Sequence, residues 1–294
     1  MKALIPVAGH GSRLAPHTLF IQKCLLPVAG KPVLEHIIDK LINIDIEEIT
    51  LIIGHLGNQV REFCKKIDKV KFSFIEQEKR LGLGHAIYMG LEKSEEPVLI
   101  VLGDAILELD YNKLISSQSS SIGVDRVEDP ERFGIVEMLG GRIIKVVEKP
   151  INPSSNLAMI GIYYISSQNA LINGIEHIMR NEIRKNDEYQ LTDAFTVMIK
   201  DGHYFSTFEI DNCLDCGVPE TLFSTNRTLL NRGINNALHP TAVIENSKLE
   251  YCTISEGCTI INSQLNNVIM LPGSKIMNQN LENEIIGSDS KLVN

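Results

Sequence analysis

The C-terminal stretch constrains the fold most sharply. From Ile244 an aliphatic residue recurs every five or six positions. The series runs through Leu249, Ile254, Ile260, Leu265, Leu271, Ile276, Leu281 and Ile286 to Leu292, with Asn, Ser, Glu, Gly and Thr between. One aliphatic per short strand, pointing inward, is the hexapeptide pattern of a β-helix. At roughly three strands per coil the stretch makes fewer than three full coils, near the lower limit for a stacked repeat. Packing on the rest of the chain or on another subunit is therefore expected. The change of character near Asn235 divides the chain into residues 1–234 and 235–294.

The first half alternates instead. Residues 2–7 form an apolar run, and Val33, Leu34, Ile37, Ile38, Leu41 and Ile42 fall at helical spacing behind Pro32. This predicts a strand and then a helix over 32–44. Residues 49–53, 72–75 and 97–102 read as further strands, and 58–66 and 84–91 as helices. Strand–helix alternation with short connections is the mark of a doubly wound α/β sheet, which binds ligands at the carboxyl ends of its strands. The middle is mixed. Residues 121–128, 133–139, 142–148 and 157–165 look like strands, with Gly140-Gly141 as the turn of a hairpin. Residues 190–200 and 219–230 look like helices.

At 294 residues with 44% hydrophobic and 22% charged content, the chain has enough apolar matter for a substantial core. A net charge of −9 argues against general nucleic-acid binding, which needs a basic footprint. Neither a leader nor a membrane span is expected, because no apolar run approaches roughly 18 residues. The six cysteines are scattered and make no disulfide framework, which suits a cytoplasmic setting. Cys213 and Cys216 have CxxC spacing but no second pair, and read as ordinary buried thiols.

Three features fall at strand ends: the opening loop, the stretch after Ile75, and Asp104. The opening loop is Ala8-Gly9-His10-Gly11-Ser12-Arg13-Leu14, followed by Lys23. Small residues after a strand leave backbone N–H groups uncovered, which is an anion site, and Arg13 and Lys23 add fixed charge. The loop lacks the third glycine of a dinucleotide fingerprint and the Gly-Lys-Ser/Thr of a P-loop. A tight strand-to-helix turn is the plain alternative for the loop taken alone.

The loop continues into Lys23-Cys-Leu-Leu-Pro-Val-Ala-Gly-Lys-Pro. The combined run resembles the signature of the sugar-1-phosphate nucleotidylyltransferases. Ser12 replaces the usual threonine, and Gln22 replaces the proline before the lysine, which is expected to loosen the loop carrying Lys23. The resemblance extends, in order, through most of the chain. Ile75 to Ala86 is similar to the base-recognition segment and Val101-Leu-Gly-Asp104 to L-G-D. Asp129 to Val136 and Val147-Glu148-Lys149-Pro150 resemble sugar-binding strands, and Ser155 to Tyr163 follows as in the family. Glu188 to Ala194 is similar to G-E-x-x-x-T-D-A, and Leu214-Asp215-Cys-Gly217 to W-x-D-T-G.

The resemblance implies a doubly wound, Rossmann-like mixed sheet with a short left-handed β-helix. It implies Mg²⁺-dependent transfer of a nucleotidyl group from dTTP or UTP to a hexose 1-phosphate. The implied nucleotide contacts are Ala8, Gly9, Gly11, Gln77 and Gly82. Gln77 suits a base because its amide both donates and accepts. Arg13 and Lys23 fall on the triphosphate and Lys149 on the sugar phosphate. Gly134, Glu148, Asn156 and Gly161 fall on the sugar, and Asp104 and Asp215 on the metal. His10, His17 and His85 read as packing or capping groups.

Glucose-1-phosphate thymidylyltransferase is the first reading. Gly82-Leu-Gly84-His-Ala and Gln190-Leu-Thr-Asp-Ala lean toward a UTP–glucose-1-phosphate uridylyltransferase. Ala105, where thymidylyltransferases commonly carry asparagine, leaves the sugar open. A non-catalytic, ligand-sensing relative, a β-helix acyltransferase and a dehydrogenase are the readings from other classes. A homo-oligomer is expected from the apolar ends of the β-helix.

Overall fold

The structure is a computed structural model describing residues 1–44, 46–287 and 291–293, the last three as backbone. The chain forms two compact units. The first comprises Met1–Gly9, Asp39–Gly103 and Leu107–Cys213, and the second His10–Ile38, Asp104–Ile106 and Leu214–Asn294.

The first unit is built on a nine-stranded mixed sheet. Its parallel part runs Val98–Val101, Lys2–Pro6, Glu48–Ile53, Lys71–Glu76. Ile49, Leu51, Ile52 and Ile53 are all buried, as a strand covered on both faces requires. Leu157–Ile165 joins Val98–Val101 antiparallel and carries the remaining strands, Gly134–Leu139, Arg142–Glu148, Ser120–Arg126 and Phe205–Glu209. Gly140 and Gly141 close the expected hairpin with φ of 58° and 79°, the paired positive values a tight two-residue turn demands.

The predicted elements appear with small shifts at their ends. The first helix is Val33–Ile42, and Pro32 stands just before it, paired with Pro27 in a two-residue ladder. One long helix is additional, Gln168–Arg180. Its signals are in the sequence: Ser167 caps it by accepting from the Ala170 N–H, and Leu171, Ile172, Ile175 and Ile178 are buried at helical spacing.

In the second unit the tail forms a left-handed β-helix of three parallel ladders. Successive coils are offset by 16 residues, carrying Ala237 to Thr253, Ile269 and Ile285. That shorter repeat corrects the coil number, since it gives more than three coils rather than fewer. It also corrects one member of the aliphatic series. The inward stacks are Ile244–Ile260–Ile276, Leu249–Leu265–Leu281 and Ile254–Met270–Ile286, so Met270 takes the place expected of Leu271. Leu271 is buried one residue further on. Leu292 continues its ladder opposite Ile276, its side chain lying outside the described residues.

All three kinds of corner use residues in the left-handed region, one of them through Gly257 and Gly273 (φ 67°, 76°) and the other two through residues with side chains. The latter are Asn246, Asn262 and Asn278 (φ 47°, 50°, 55°) and Tyr251, Asn267 and Asn283 (φ 54°, 53°, 54°). Asparagine tolerates that conformation and also hydrogen-bonds to its copy one coil on, as Asn267 Nδ2 does to Asn283 Oδ1 at 2.7 Å. The helix Pro219–Leu230 is tied to this stack by Asn226, which is fully buried.

Candidate active site

The chemistry-bearing residues fall into two sets, one in each unit. In the second unit, Lys23 Nζ lies 2.9 Å from Asp104 Oδ2. Lys23 sits in a short 3-10 turn, Lys23–Leu25, whose N-cap is Gln22. Gln22 is 2% exposed, and its Oε1 accepts from the Cys24 N–H at 2.6 Å. Gln22 therefore does not loosen this loop: it fastens the turn from within. Asp104 and Asp215 come from neighbouring extended segments, and the Cys216 N–H donates to the Asp104 carbonyl at 2.9 Å. Asp215 Oδ1 accepts from the Gly217 N–H at 3.0 Å, and its backbone carbonyl accepts from Thr225 Oγ1 at 2.8 Å. A methyl group on Gly217 would stand 3.0 Å from Asp215 Oδ1 and 3.4 Å from the Arg13 guanidinium. Arg13 and Asp215 thus border the same glycine.

Burial, and then the negative charge of Asp215, push the Cys216 thiol up. Cys216 is buried as expected of an ordinary thiol, whereas Cys213, its partner in the CxxC spacing, is only half-buried. Among the described residues no group of three or more His, Cys, Asp or Glu side chains stands together as a zinc site would need. The donor set of Asp104 and Asp215 fits Mg²⁺, which takes one or two carboxylates and completes its shell with phosphate oxygens and water.

Gly9 and Gly11 play different parts. A Cβ on Gly9 would meet nothing within 4 Å, so no packing demand explains the small residue there. Gly11 has φ 65°, and a Cβ would stand 3.0 Å from the Lys23 Cβ. Its smallness serves the turn that seats Lys23. In the first unit Ala8 is buried against Gly54, where a Cβ would meet the Ala8 carbonyl at 2.9 Å.

The first unit holds the other set. Gln77 follows the strand Lys71–Glu76 and is buried. Its Nε2 donates to His85 Nδ1 at 3.1 Å and to the Gly82 carbonyl at 3.3 Å. Burial lowers the His85 imidazole below its ordinary value, which keeps that ring neutral and able to accept. Gly82 has φ 102° and is walled by the backbone of Tyr189.

Glu148 ends the strand Arg142–Glu148, and Lys149 follows it. Lys149 has φ 40°, an uncommon conformation for a residue with a side chain, and its Nζ is 3.7 Å from Glu148 Oε1. A Cβ on Gly134 would lie 3.2 Å from Glu148 Oε2 and 3.0 Å from Thr192 Cγ2. Asn156 is exposed, with Oδ1 accepting from Arg126 at 3.0 Å. Gly161, at φ 55°, forms the irregularity in Leu157–Ile165, and its carbonyl accepts from the Leu102 N–H at 2.8 Å.

Three residues here were given no role by the sequence. Thr192 is buried, and its Oγ1 has no hydrogen-bond partner among the described residues. Its neighbour Asp193 has its carboxyl pushed up by burial. Both lie in the T-D-A run. Lys185 donates to the backbone carbonyls of Glu148 and Lys149, and no local motif marks it.

Comparison with known proteins places these residues in context. Residues 2–232 match the family described as nucleotidyl transferase. The bifunctional protein GlmU of Methanococcus maripaludis is 34% identical over 238 residues, 80% of this chain and 56% of that relative. The low-salt glycan biosynthesis nucleotidyltransferase Agl11 of Haloferax volcanii is 33% identical over 243 residues, 78% of this chain and 66% of its own length. The chain thus spans little more than half of the GlmU relative. Among solved structures, a UDP-glucose pyrophosphorylase complexed with UDP-glucose superposes with a TM-score of 0.68 at 26% identity. It covers 79% of this chain and 98% of that one. Among the described residues no helix is long and apolar enough to cross a membrane. With nearly four-fifths of its sequence matched in one continuous span, this chain belongs to the nucleotidyl transferase family.

Proposed function

We propose that the protein transfers a nucleotidyl group from a pyrimidine nucleoside triphosphate to a hexose 1-phosphate and releases pyrophosphate. The observation that carries this reading is the 2.9 Å pair of Lys23 and Asp104 with Asp215 on the adjoining segment. A cation on a short turn and two carboxylates on adjoining segments suit phosphoryl chemistry. The nucleophile is a phosphate oxygen, already ionised at neutral pH, so no general base is needed. The obstacle is repulsion between two anions, and the catalyst must supply alignment and positive charge.

Arg13 and the N–H groups of Ala8, Gly9 and Gly11 hold the β and γ phosphates and stabilise the departing pyrophosphate. Lys23 serves the α-phosphate, and Lys149 steers the incoming sugar phosphate. Asp104 and Asp215 would hold Mg²⁺, which supplies Lewis acidity and charge neutralisation when bound. Gln77 and Gly82 read the base. The two acceptors on Gln77 Nε2 take up both of its protons and fix its amide, so it meets the ring through Oε1 as an acceptor and not as the expected donor and acceptor. Glu148 accepts from sugar hydroxyls, with Gly134 leaving room beside it and Asn156 and Gly161 completing the sugar side. The orphaned Thr192 Oγ1 next to Gly134 supports a polar ligand there, because a buried hydroxyl without a partner is costly.

dTTP with glucose 1-phosphate is the first pair, and UTP with glucose 1-phosphate the second. The structural neighbours include both a UDP-glucose pyrophosphorylase and a putative glucose-1-phosphate thymidylyltransferase, which supports both pairs alike. The two bases differ by one methyl group, a discrimination of only ~1–3 kcal/mol. Pyrophosphate release over a matrix of nucleoside triphosphates and hexose 1-phosphates tests the proposal. Turnover confined to pyrimidine donors supports it, and silence across the matrix in the presence of Mg²⁺ would sink it in favour of a ligand sensor.

A further inference from the structure

Lys149 is the most unusual backbone position near the proposed sugar phosphate. Its φ of 40° is left-handed, it is not a glycine, and it precedes Pro150, which narrows its conformational choices further. Such a residue persists only where its surroundings over-determine it. Two features do so here. The Lys149 N–H donates to the Phe133 carbonyl at 2.9 Å. From outside the hairpin, Lys185 Nζ donates to the carbonyls of both Glu148 and Lys149. One ammonium thus binds the two consecutive carbonyls that flank the turn.

Lys185 is itself held by a tight turn. Lys185 and Glu188 form an isolated antiparallel bridge, with Asn186 and Asp187 between them at φ 53° and 62°. The Gln190 side chain donates to the Lys185 carbonyl at 3.3 Å. The same segment then docks by backbone on the proposed base loop. The Tyr189 N–H donates to the Leu81 carbonyl at 2.7 Å, and the Tyr189 carbonyl accepts from the Gly84 N–H at 2.9 Å. A Cβ on Gly82 would strike this backbone at 2.7 Å. A single short segment therefore grips the base loop at one end and the Glu148–Lys149 corner at the other.

We propose that Lys185 is a positioning residue for the reaction: it clamps the Glu148–Lys149 corner in its left-handed conformation and fixes that corner to the base loop at Gly82–Gly84. The inference rests on the nucleotidyl-transfer reading above. Lys185 acts through Lys149, so its loss weakens the hexose 1-phosphate more than the nucleotide.

The test is steady-state kinetics on the full chain together with hydrogen exchange at the Lys149 amide. Lys185→Met should raise KM for the hexose 1-phosphate about tenfold, with a smaller change for the nucleotide and an unchanged melting temperature. Lys185→Arg, which keeps a cation with several donors, should recover most of the loss. In a Lys149→Ala background, Lys185→Met should cost nothing further. Protection of the Lys149 amide should fall in Lys185→Met before any substrate is added. Unchanged protection, wild-type kinetics, or an equal loss in the Lys149→Ala background overturns the inference, the last by making Lys185 an independent phosphate contact. A wild-type protein that releases no pyrophosphate from any pair overturns the activity reading instead, and the exchange result then judges the clamp by itself.

Discussion

Lys23 Nζ lies 2.9 Å from Asp104 Oδ2, so the carboxylate proposed for Mg²⁺ already has a cation beside it. The lysine side chain is 13% exposed and the aspartate 41%. A half-exposed pair of this kind adds little to stability. Its value lies in holding a charge ready for phosphate.

This pairing separates two effects of the lysine. Lys23→Met should lower the rate of pyrophosphate release by roughly 10²–10³. It should also tighten Mg²⁺ binding, because Asp104 loses its competing cation. Calorimetric Mg²⁺ titration of the two proteins measures the second effect. Weaker binding in Lys23→Met would mean that the lysine supports the carboxylate geometry and does not compete for it. Asp104→Asn and Arg13→Ala should each abolish release while leaving the fold intact.

Gln22 fastens the turn carrying Lys23 with its side chain, while its backbone stands at φ −61° and ψ 133°. Proline occupies the same conformation without strain. Gln22→Ala should therefore lose about 1 kcal/mol of stability through the missing cap, and about tenfold in turnover as Lys23 gains freedom. Gln22→Pro should stay within about threefold of wild type, since it fixes by the backbone what glutamine fixes by the side chain. Equal losses in both variants would show that Gln22 has a role beyond the turn.

Asn226 ties the second unit together. Its Oδ1 accepts from Thr253 Oγ1 at 2.6 Å and from the Ala29 N–H at 2.9 Å, and its Nδ2 donates to the Tyr251 carbonyl at 3.0 Å. Asn226→Ala leaves these partners unsatisfied in a buried place and should cost about 3 kcal/mol. Asn226→Asp keeps the acceptor but sets a carboxylate oxygen against the Tyr251 carbonyl in a fully buried place, and should cost at least as much. Denaturant unfolding of the two variants measures the difference.

Burial lowers the imidazoles of His17, His85 and His203 below the ordinary value of 6.5. A depressed folded pKa means that the unfolded chain binds protons first. Stability is then fully present above about pH 6.5 and declines as pH falls through the folded pKa values. His203, hydrogen-bonded to Ser120 Oγ at 2.8 Å, is the clearest single contributor to test. His203→Gln should flatten the fall in melting temperature between about pH 7 and pH 5. An unchanged slope would assign the effect elsewhere.

Period and punctuation made most of the fold legible. Continuous apolar runs gave the buried parallel strands, Gly140-Gly141 the hairpin, and the recurring aliphatics the β-helix. Its repeat was less legible, because five- and six-residue steps leave the coil length open. The 16-residue register that puts Met270 over Ile254 is fixed by hydrogen bonds between coils. The helix Gln168–Arg180 was readable from Ser167 and its apolar spacing, and shows that a mixed region can hide a regular element.

The chain by itself determined the inventory: a small-residue loop with Arg13 and Lys23, carboxylates at 104 and 215, an amide at 77, and Glu148-Lys149 at a strand end. These follow from local order along the chain. Only the tertiary structure decided how each is held. The glutamine at 22 turned out to be a buried cap, because what it bonds to depends on the fold of its own turn. Lys185 became a clamp on carbonyls 36 and 37 residues away in sequence. Such backbone acceptors carry no side-chain signature, and only the folded chain brings a lysine to them.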